Sequence, residues 1–328
     1  MGRADPGLAV PCPVDVLPGL ESRTAVPVDL DAACAAVGPD IVHIHNVVNP
    51  WVLEWGAARG AVLTVQDHRP FCPGRGKWTA SGGVCREAMS PLLCESCFDD
   101  PGYYREVYAL TEARLAAVRR MRVSVLSRYM REELVAAGVP PSAVRVVPPF
   151  VHGLGDGAAS LEPCALFVGR LVAAKGARDA VAAWRLAGLD LPLVFAGTGP
   201  LRSELEAEPG VRCLGWLSRV ELGAVYRSAR VVVFPSRWQE PFGLAGLEAL
   251  TLGVPVAAWE SGGVAEWHPG PGLVAWGDRA ALAEALRRLA GRPAAMPRSF
   301  GRDETRAALG ALYACEPGAR HRRGGRVG

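Results

Sequence analysis

Two glutamates, Glu240 and Glu248, stand eight residues apart in FPSRWQEPFGLAGLEAL, which reads as a strand end, a tight loop and the opening of a helix. A helix beginning near Phe242, Gly243 and Leu244 presents unpaired backbone N–H groups and the positive end of its dipole, an arrangement that suits an anion. A carboxylate just ahead of that turn accepts hydrogen bonds from hydroxyl groups. Glu240 therefore suits a polyol carried by the anion, and Glu248, more than a turn later, a second one. Taken alone, such a pair is more often a dipole partner and a solvated helix residue. The neighbours change the balance: in FVGRLVAAKG, Arg170 and Lys175 follow a strand and enclose a turn. Two cations and a helix N-terminus at the carboxyl edge of one sheet form a clamp for a diphosphate.

A second cluster is Cys72, Cys85, Cys94 and Cys97, set among glycines with no clear periodicity. The C-x2-C pair fits half of a zinc site, but the spacing of the first two is unusual, and free thiols or redox-labile pairing are the commoner explanation. The other cysteines are scattered and read as reduced thiols. His43 and His45 alternate along a strand with no acidic neighbour in sequence, so they are expected to be a strand-end feature rather than a metal pair. Most of the nine tryptophans fall in helices or at strand ends, where packing is the expected role. GTGP lacks the lysine of a phosphate-binding P-loop.

These residues need a scaffold that brings strand ends together. DIVHIHN, GAVLTVQD, RVSVLS and VRVVPP read as strands separated by helical stretches. So do CALFVGR, LPLVFAGTG, VRCLGW, ARVVVFPS, PVAAW and LVAW in the second half. Apolar strands alternating with helices predict parallel sheets covered on both faces. The segment HGLGDGAAS is a linker candidate. We therefore expect an N-terminal unit over residues 1–151 with a cysteine-bearing insertion at about 70–100. A second unit follows over 161–292, and a C-terminal helix with a basic tail over 293–328. A doubly wound unit normally opens with a strand and a glycine-rich turn, and residues 1–36 show neither clearly. The first unit is thus expected to be shortened, or to begin upstream.

At 328 residues, with 50% hydrophobic and 21% charged, the chain can fill sizeable cores, which excludes wholesale disorder. Lysine and arginine total 36 against 33 acids, and part of the excess lies in the tail at His321, Arg322, Arg323 and Arg326, so no nucleic-acid partner is expected. The sequence has no apolar run long enough for a membrane span, and prolines interrupt its start, so a cytoplasmic location is expected.

The chain resembles the retaining glycosyltransferases of family 4, the glycogen-synthase-like group with the GT-B fold. The resemblance covers almost all of residues 40–290. It rests on GRLVAAKG, on EPFGLAGLE as the E-x7-E element, and on AGTGP, CLGW, GGVAEW, DIVHIHN, LSRYMREELVAAGVP and VRVVPP in order. It implies two Rossmann-like domains facing a cleft. Arg170 and Lys175 would hold a nucleotide diphosphate, and Glu240 would bind the donor sugar. Phe242, Gly243 and Leu244 would offer backbone N–H groups, and Glu248 would bind the ribose. Where the family commonly has a histidine before an aspartate, this chain has Gln66, then Asp67 and His68, and either of the latter two could contact the donor sugar.

The implied activity is transfer of a sugar from a nucleotide-diphosphate donor to a hydroxyl acceptor, with retention at the anomeric carbon and no cofactor or essential divalent ion. The acceptor would be a glycan, a lipid-linked molecule or a natural product, with peripheral membrane contact left open. Two alternatives stand beside it: a catalytically silent nucleotide-sugar-binding protein, and a UDP-sugar epimerase-like enzyme, which the ordered motifs argue against.

Overall fold

A computed structural model describes residues 29–47, 49–294 and 300–314. Cys12, Cys315 and the basic tail lie outside the described residues. In the first half the elements are α1 (Leu30–Val37), β1 (His43–His45), α2 (Pro50–Ala58), β2 (Val62–Val65), α3 (Pro91–Glu95), α4 (Pro101–Val118), β3 (Arg122–Val125), α5 (Arg128–Ala136) and β4 (Val144–Val146). In the second they are β5 (Cys164–Val168), α6 (Ala177–Ala187), β6 (Leu193–Ala196), α7 (Arg202–Glu206), β7 (Val211–Gly215), α8 (Arg219–Ser228), β8 (Ala229–Phe234), α9 (Leu244–Thr251), β9 (Val256–Trp259), β10 (Leu273–Val274), α10 (Arg279–Leu289) and α11 (Arg302–Ala314).

The strands form two sheets, ordered β1-β2-β3-β4 and β10-β9-β8-β5-β6-β7. Every pairing is parallel. The chain is therefore an α/β protein with two Rossmann-like halves, as the alternation of apolar strands and helices predicted. Strands β2, β6 and β9 are buried along their whole length, which explains their unbroken apolar runs. Successive side chains of the second sheet feed opposite cores. Phe167, Phe195 and Val233 pack under α6 and α10, while Leu166, Val194 and Val232 pack with residues of α8 and α9.

Local chemistry sets the helix starts. Ser218 and Glu221 form a capping box, so α8 begins at Arg219. Ser127 caps α5 through the Met130 N–H, and Asp278 caps α10 through the Ala281 N–H. The 18-residue α4, capped by Asp100, was not foreseen.

The predicted linker lacks regular structure and is strapped to α8. The Arg219 Nε donates to the His152 carbonyl at 2.9 Å, and the Ser160 and Leu161 N–H groups donate to Ser228 Oγ at 3.1 and 3.0 Å. Helix α11 returns from the second sheet to the first. Leu312 packs on Val62 and Val147, and the Tyr313 hydroxyl meets His43 Nδ1 at 2.6 Å. His43 thus joins a polar chain through Thr64 to Ser124, consistent with a structural rather than metal-binding role. Among the described residues no helix is long and apolar enough to cross a membrane.

Candidate active site

In parallel sheets the carboxyl ends of the strands carry the binding loops. Here those ends converge between the two halves. Strand β2 delivers Gln66, Asp67 and His68, β3 leads to Ser127 and Tyr129, β5 leads to Arg170, and β8 leads to the loop Ser236–Glu240. Between them lies a cavity of about 730 Å³. Asn46, Gln66, Asp67, His68, Arg69 and the Cys72–Trp78 region form one wall, and Arg170, Val172, Ala174 and Trp238 form the other. The volume is in the usual range for a small-molecule site.

The turn after β5 and the loop after β8 are built as one piece. The backbone N–H groups of Arg237 and Trp238 both donate to the Ala174 carbonyl, at 3.0 and 2.9 Å. Gly176 has φ +72, and a Cβ there would lie 1.8 Å from the Pro235 carbonyl oxygen, so only glycine permits this approach. Asp179, 1% exposed, is bidentate to Arg237 at 2.5 and 2.7 Å and accepts from Arg279 at 2.7 Å, which ties α6, the loop and α10 together. The result is that Lys175 Nζ donates to Glu240 Oε1 at 2.7 Å and sits 4.9 Å from the Trp238 ring centre. Arg170 is exposed on the cavity wall and makes no ion pair among the described residues. The two cations of the sequence motif therefore differ: one is already paired with the carboxylate, and one is available to an anion.

Glu248 is buried and held from two sides. Arg219 Nη1 donates to its Oε1 at 2.9 Å and the Tyr226 hydroxyl to its Oε2 at 3.0 Å. It is therefore not the solvated helix residue of the plain reading, nor does it line the cavity itself. Gly243 precedes α9 with φ +90, and no side chain caps this helix, so its first N–H groups remain for other acceptors. Phe242 is buried, with its carbonyl accepting from the Trp267 indole, while Leu244 is 41% exposed.

The two residues at the end of β2 part ways. Asp67 accepts from the Arg69 N–H at 2.9 Å and from Arg69 Nε at 2.8 Å. His68 is 2% exposed; its Nε2 lies 2.9 Å from the Tyr129 hydroxyl, and its Nδ1 is buried without a partner. Burial lowers the His68 pKa to about 3, so the ring is neutral at physiological pH. Burial raises the Tyr129 phenol, which stays protonated. Five more buried polar atoms lack partners among the described residues: Trp78 Nε1, Arg227 Nη1, Trp238 Nε1, Gln239 Nε2 and Ser261 Oγ. Unsatisfied groups on these residues, several of which line or flank one cavity, are an opening for a polar ligand.

Residues 2–149 match the family model for a glycosyl transferase 4-like domain, and residues 162–292 match that for glycosyl transferases group 1. The chain belongs to glycosyltransferase family 4 and has the GT-B fold. It is 37% identical over 136 residues to the protein named Uncharacterized glycosyltransferase MJ1607 of Methanocaldococcus jannaschii, covering 35% of each chain. The chain thus spans about a third of the length of the curated relatives it matches. Sucrose-phosphate synthase from Thermosynechococcus elongatus is similar in structure, with TM-score 0.58 and 23% identity over 86% of this chain and 72% of that one. HepE of Anabaena in complex with UDP gives TM-score 0.53 and 18% identity over 78% of this chain and 71% of that one.

For a family 4 protein, several cavity residues were not foreseen from sequence, Trp238 and Arg75 among them. Trp238 was set aside with the packing tryptophans, yet it stands between Lys175 and His68, and its backbone is pinned to Ala174. Arg75 lies within the insertion, and only the folded path of that segment brings it to the cavity wall facing Arg170. The Gln239 N–H donates to the Gly76 carbonyl at 3.1 Å, so the insertion bridges the two halves. That contact had no sequence signal.

Proposed function

We propose that this protein is a retaining glycosyltransferase that moves a sugar from a nucleoside diphosphate donor to a hydroxyl acceptor. The observation that carries this reading is the Lys175–Glu240 ion pair, set against Trp238 of the cavity wall that also carries the open cation Arg170. A diphosphate would accept from Arg170, from Lys175 and from the uncapped N–H groups at Phe242, Gly243 and Leu244. Glu240 would then accept from hydroxyls of the donor sugar, and Glu248 from those of the ribose. His68, with its free Nδ1, is better placed than Asp67 to meet the sugar, because Arg69 already occupies Asp67.

In this reading the bond between the anomeric carbon and the diphosphate oxygen breaks as the acceptor oxygen approaches from the same face. The departing phosphate oxygen takes the acceptor proton, so no side chain need act as nucleophile. The developing negative charge falls on preorganised cations and N–H groups, which can fill the electrostatic role that a divalent ion plays elsewhere. Glu240 positions the sugar. The similarity to HepE, whose structure contains UDP, supports a nucleotide in the cleft.

The test is a thermal-shift screen of UDP-, GDP- and ADP-sugars, followed by incubation of the best donor with glycan, lipid-linked and natural-product acceptors. Mass spectrometry and anomeric proton NMR then read the product. Transfer with retained configuration is expected. Inversion would overturn the mechanism, and binding without turnover against the whole acceptor panel would favour a silent binding protein.

A further inference from the structure

The segment between β2 and α4 contains only the five-residue α3 and a single bridge between Trp78 and Val84. Structureless stretches longer than roughly 12–15 residues are uncommon in compact domains unless they bind something or are tied down. Phe71 is the one hydrophobic residue of this segment that reaches full burial. Its main polar anchor is Lys77, paired with Glu133 at 2.9 Å and donating to the Glu87 carbonyl at 2.6 Å. These anchors, with the His68–Tyr129 contact and the Gln239–Gly76 hydrogen bond, leave most of the segment without regular structure.

The four clustered cysteines all lie here, and the path of the chain folds them towards one another. A Cβ on Gly74 would stand 3.2 Å from Cys97 Cβ and 3.5 Å from Cys97 Sγ, so the turn after Cys72 is pressed against Cys97. The Cys85 N–H donates to the Lys77 carbonyl at 2.8 Å, closing a hairpin that returns Cys85 to the same turn. The Cys97 N–H donates to the Cys94 carbonyl at 3.1 Å, so the C-x2-C pair turns back on itself at the end of α3. Cys72, Cys85 and Cys97 all lie within electrostatic reach of the Cys94 thiol. Cys72, Cys85, Cys94 and Cys97 are all free cysteines.

We propose that Cys72, Cys85, Cys94 and Cys97 bind one zinc ion that staples this segment into the wall of the cleft. Four thiolates make a closed tetrahedral shell, which is the composition of a structural rather than a catalytic zinc site. Among the described residues no three His, Cys, Asp or Glu side chains already form a metal cage, so the ion has to draw the sulfurs inward as it binds. Such coupling is ordinary for small irregular segments, where metal binding supplies folding energy. Two residues after Cys72 come Gly74, Arg75 and Gly76, and the Gly76 carbonyl takes the Gln239 N–H. The ion would thereby fix the height of the cavity wall, including Arg75 and Trp78.

The test uses the full-length chain purified under reducing conditions without chelator from zinc-supplemented cells. Elemental analysis should give about one zinc per chain, and X-ray absorption should show about four sulfur neighbours at roughly 2.3 Å. The double variant C94S/C97S should lose the metal at least about tenfold. Metal-free natural protein, a nitrogen or oxygen shell, an unchanged metal content in the double variant, or disulfides among these cysteines on non-reducing mass spectrometry would each overturn the proposal. If the double variant fails to fold, the absorption spectrum of the unaltered protein decides. None of these readouts depends on glycosyl transfer.

Discussion

Lys175 and Glu240 are 65 residues apart in sequence and share a hydrogen bond of 2.7 Å, because the Ala174 carbonyl takes the N–H groups of both Arg237 and Trp238. The carboxylate is the more buried partner, with its side chain 5% exposed against 21% for the lysine. A carboxylate at that depth depends on its cation. The pair is thus one unit, in which the lysine both stabilises the loop and stands ready beside a diphosphate.

The first prediction follows from that dependence. Lys175→Ala should lower stability by roughly 1–3 kcal/mol, since it strands a buried carboxylate, and should also weaken nucleotide binding. Lys175→Ala combined with Glu240→Gln should recover part of the stability but none of the binding. Urea denaturation measures the first effect and calorimetry the second. A single variant as stable as the natural protein would show that the two residues are not coupled.

Arg170 should behave differently, because it is exposed and supports no neighbour. Arg170→Ala should leave the melting temperature within about a degree and weaken nucleoside diphosphate binding by roughly 10- to 100-fold, the worth of one charge-assisted contact. Unchanged affinity would remove Arg170 from the clamp.

The two glutamates should separate in kinetics. Glu240→Gln is expected to lower turnover far more than affinity for the bare nucleoside diphosphate, which has no sugar hydroxyls to lose. Glu248→Gln should weaken donor and bare nucleotide alike. It should also cost on the order of 1–2 kcal/mol of stability, because Arg219 and Tyr226 both bond to the carboxylate. Equal effects of both substitutions on bare nucleotide would contradict the roles given to them.

A pH dependence follows from the buried histidines. The pKa of His68 is lowered to about 3 and that of His43 to about 4, in each case first by burial, from an ordinary value of 6.5. The unfolded chain therefore binds protons below pH 6.5 that the folded chain refuses. Stability should be full above that pH and should fall as pH drops from 6.5 towards 4. His68→Gln should flatten this fall by an amount on the order of a few kcal/mol at most, read from urea midpoints between pH 4 and pH 7. An equally steep fall in the variant would mean that His68 is not buried neutral.

Much of this architecture is legible in the sequence because period and burial agree. VLTV and LVFA are apolar throughout since both faces of their sheets are covered, and EPFGLAGLE announces its turn through Gly243. Helix α4 was missed because Thr111 and Arg114 are buried within it, which blurs the apolar stripe that a periodicity reading depends on. Asp179 was missed for a related reason: a lone aspartate early in a helix reads as a dipole partner, and nothing local shows that Arg237 and Arg279 will reach it. Trp238 and Arg75 enter the cavity only through contacts between distant segments. The sequence reading of Arg170 and Lys175 as equivalent cations also lacked the one fact that separates them, the carboxylate of Glu240 on Lys175.

The central claim is that this cleft recognises a nucleoside diphosphate through Arg170 and the Lys175–Glu240 unit. The most direct test is titration calorimetry of the natural protein with UDP, GDP and ADP, each beside its monophosphate. The account predicts that at least one diphosphate binds ten-fold or more tightly than its monophosphate, since the second phosphate adds one or more contacts worth about 1.5–3 kcal/mol. That preference should disappear in Arg170→Ala. No preference for a diphosphate in any of the three pairs, or a preference untouched by Arg170→Ala, would contradict it.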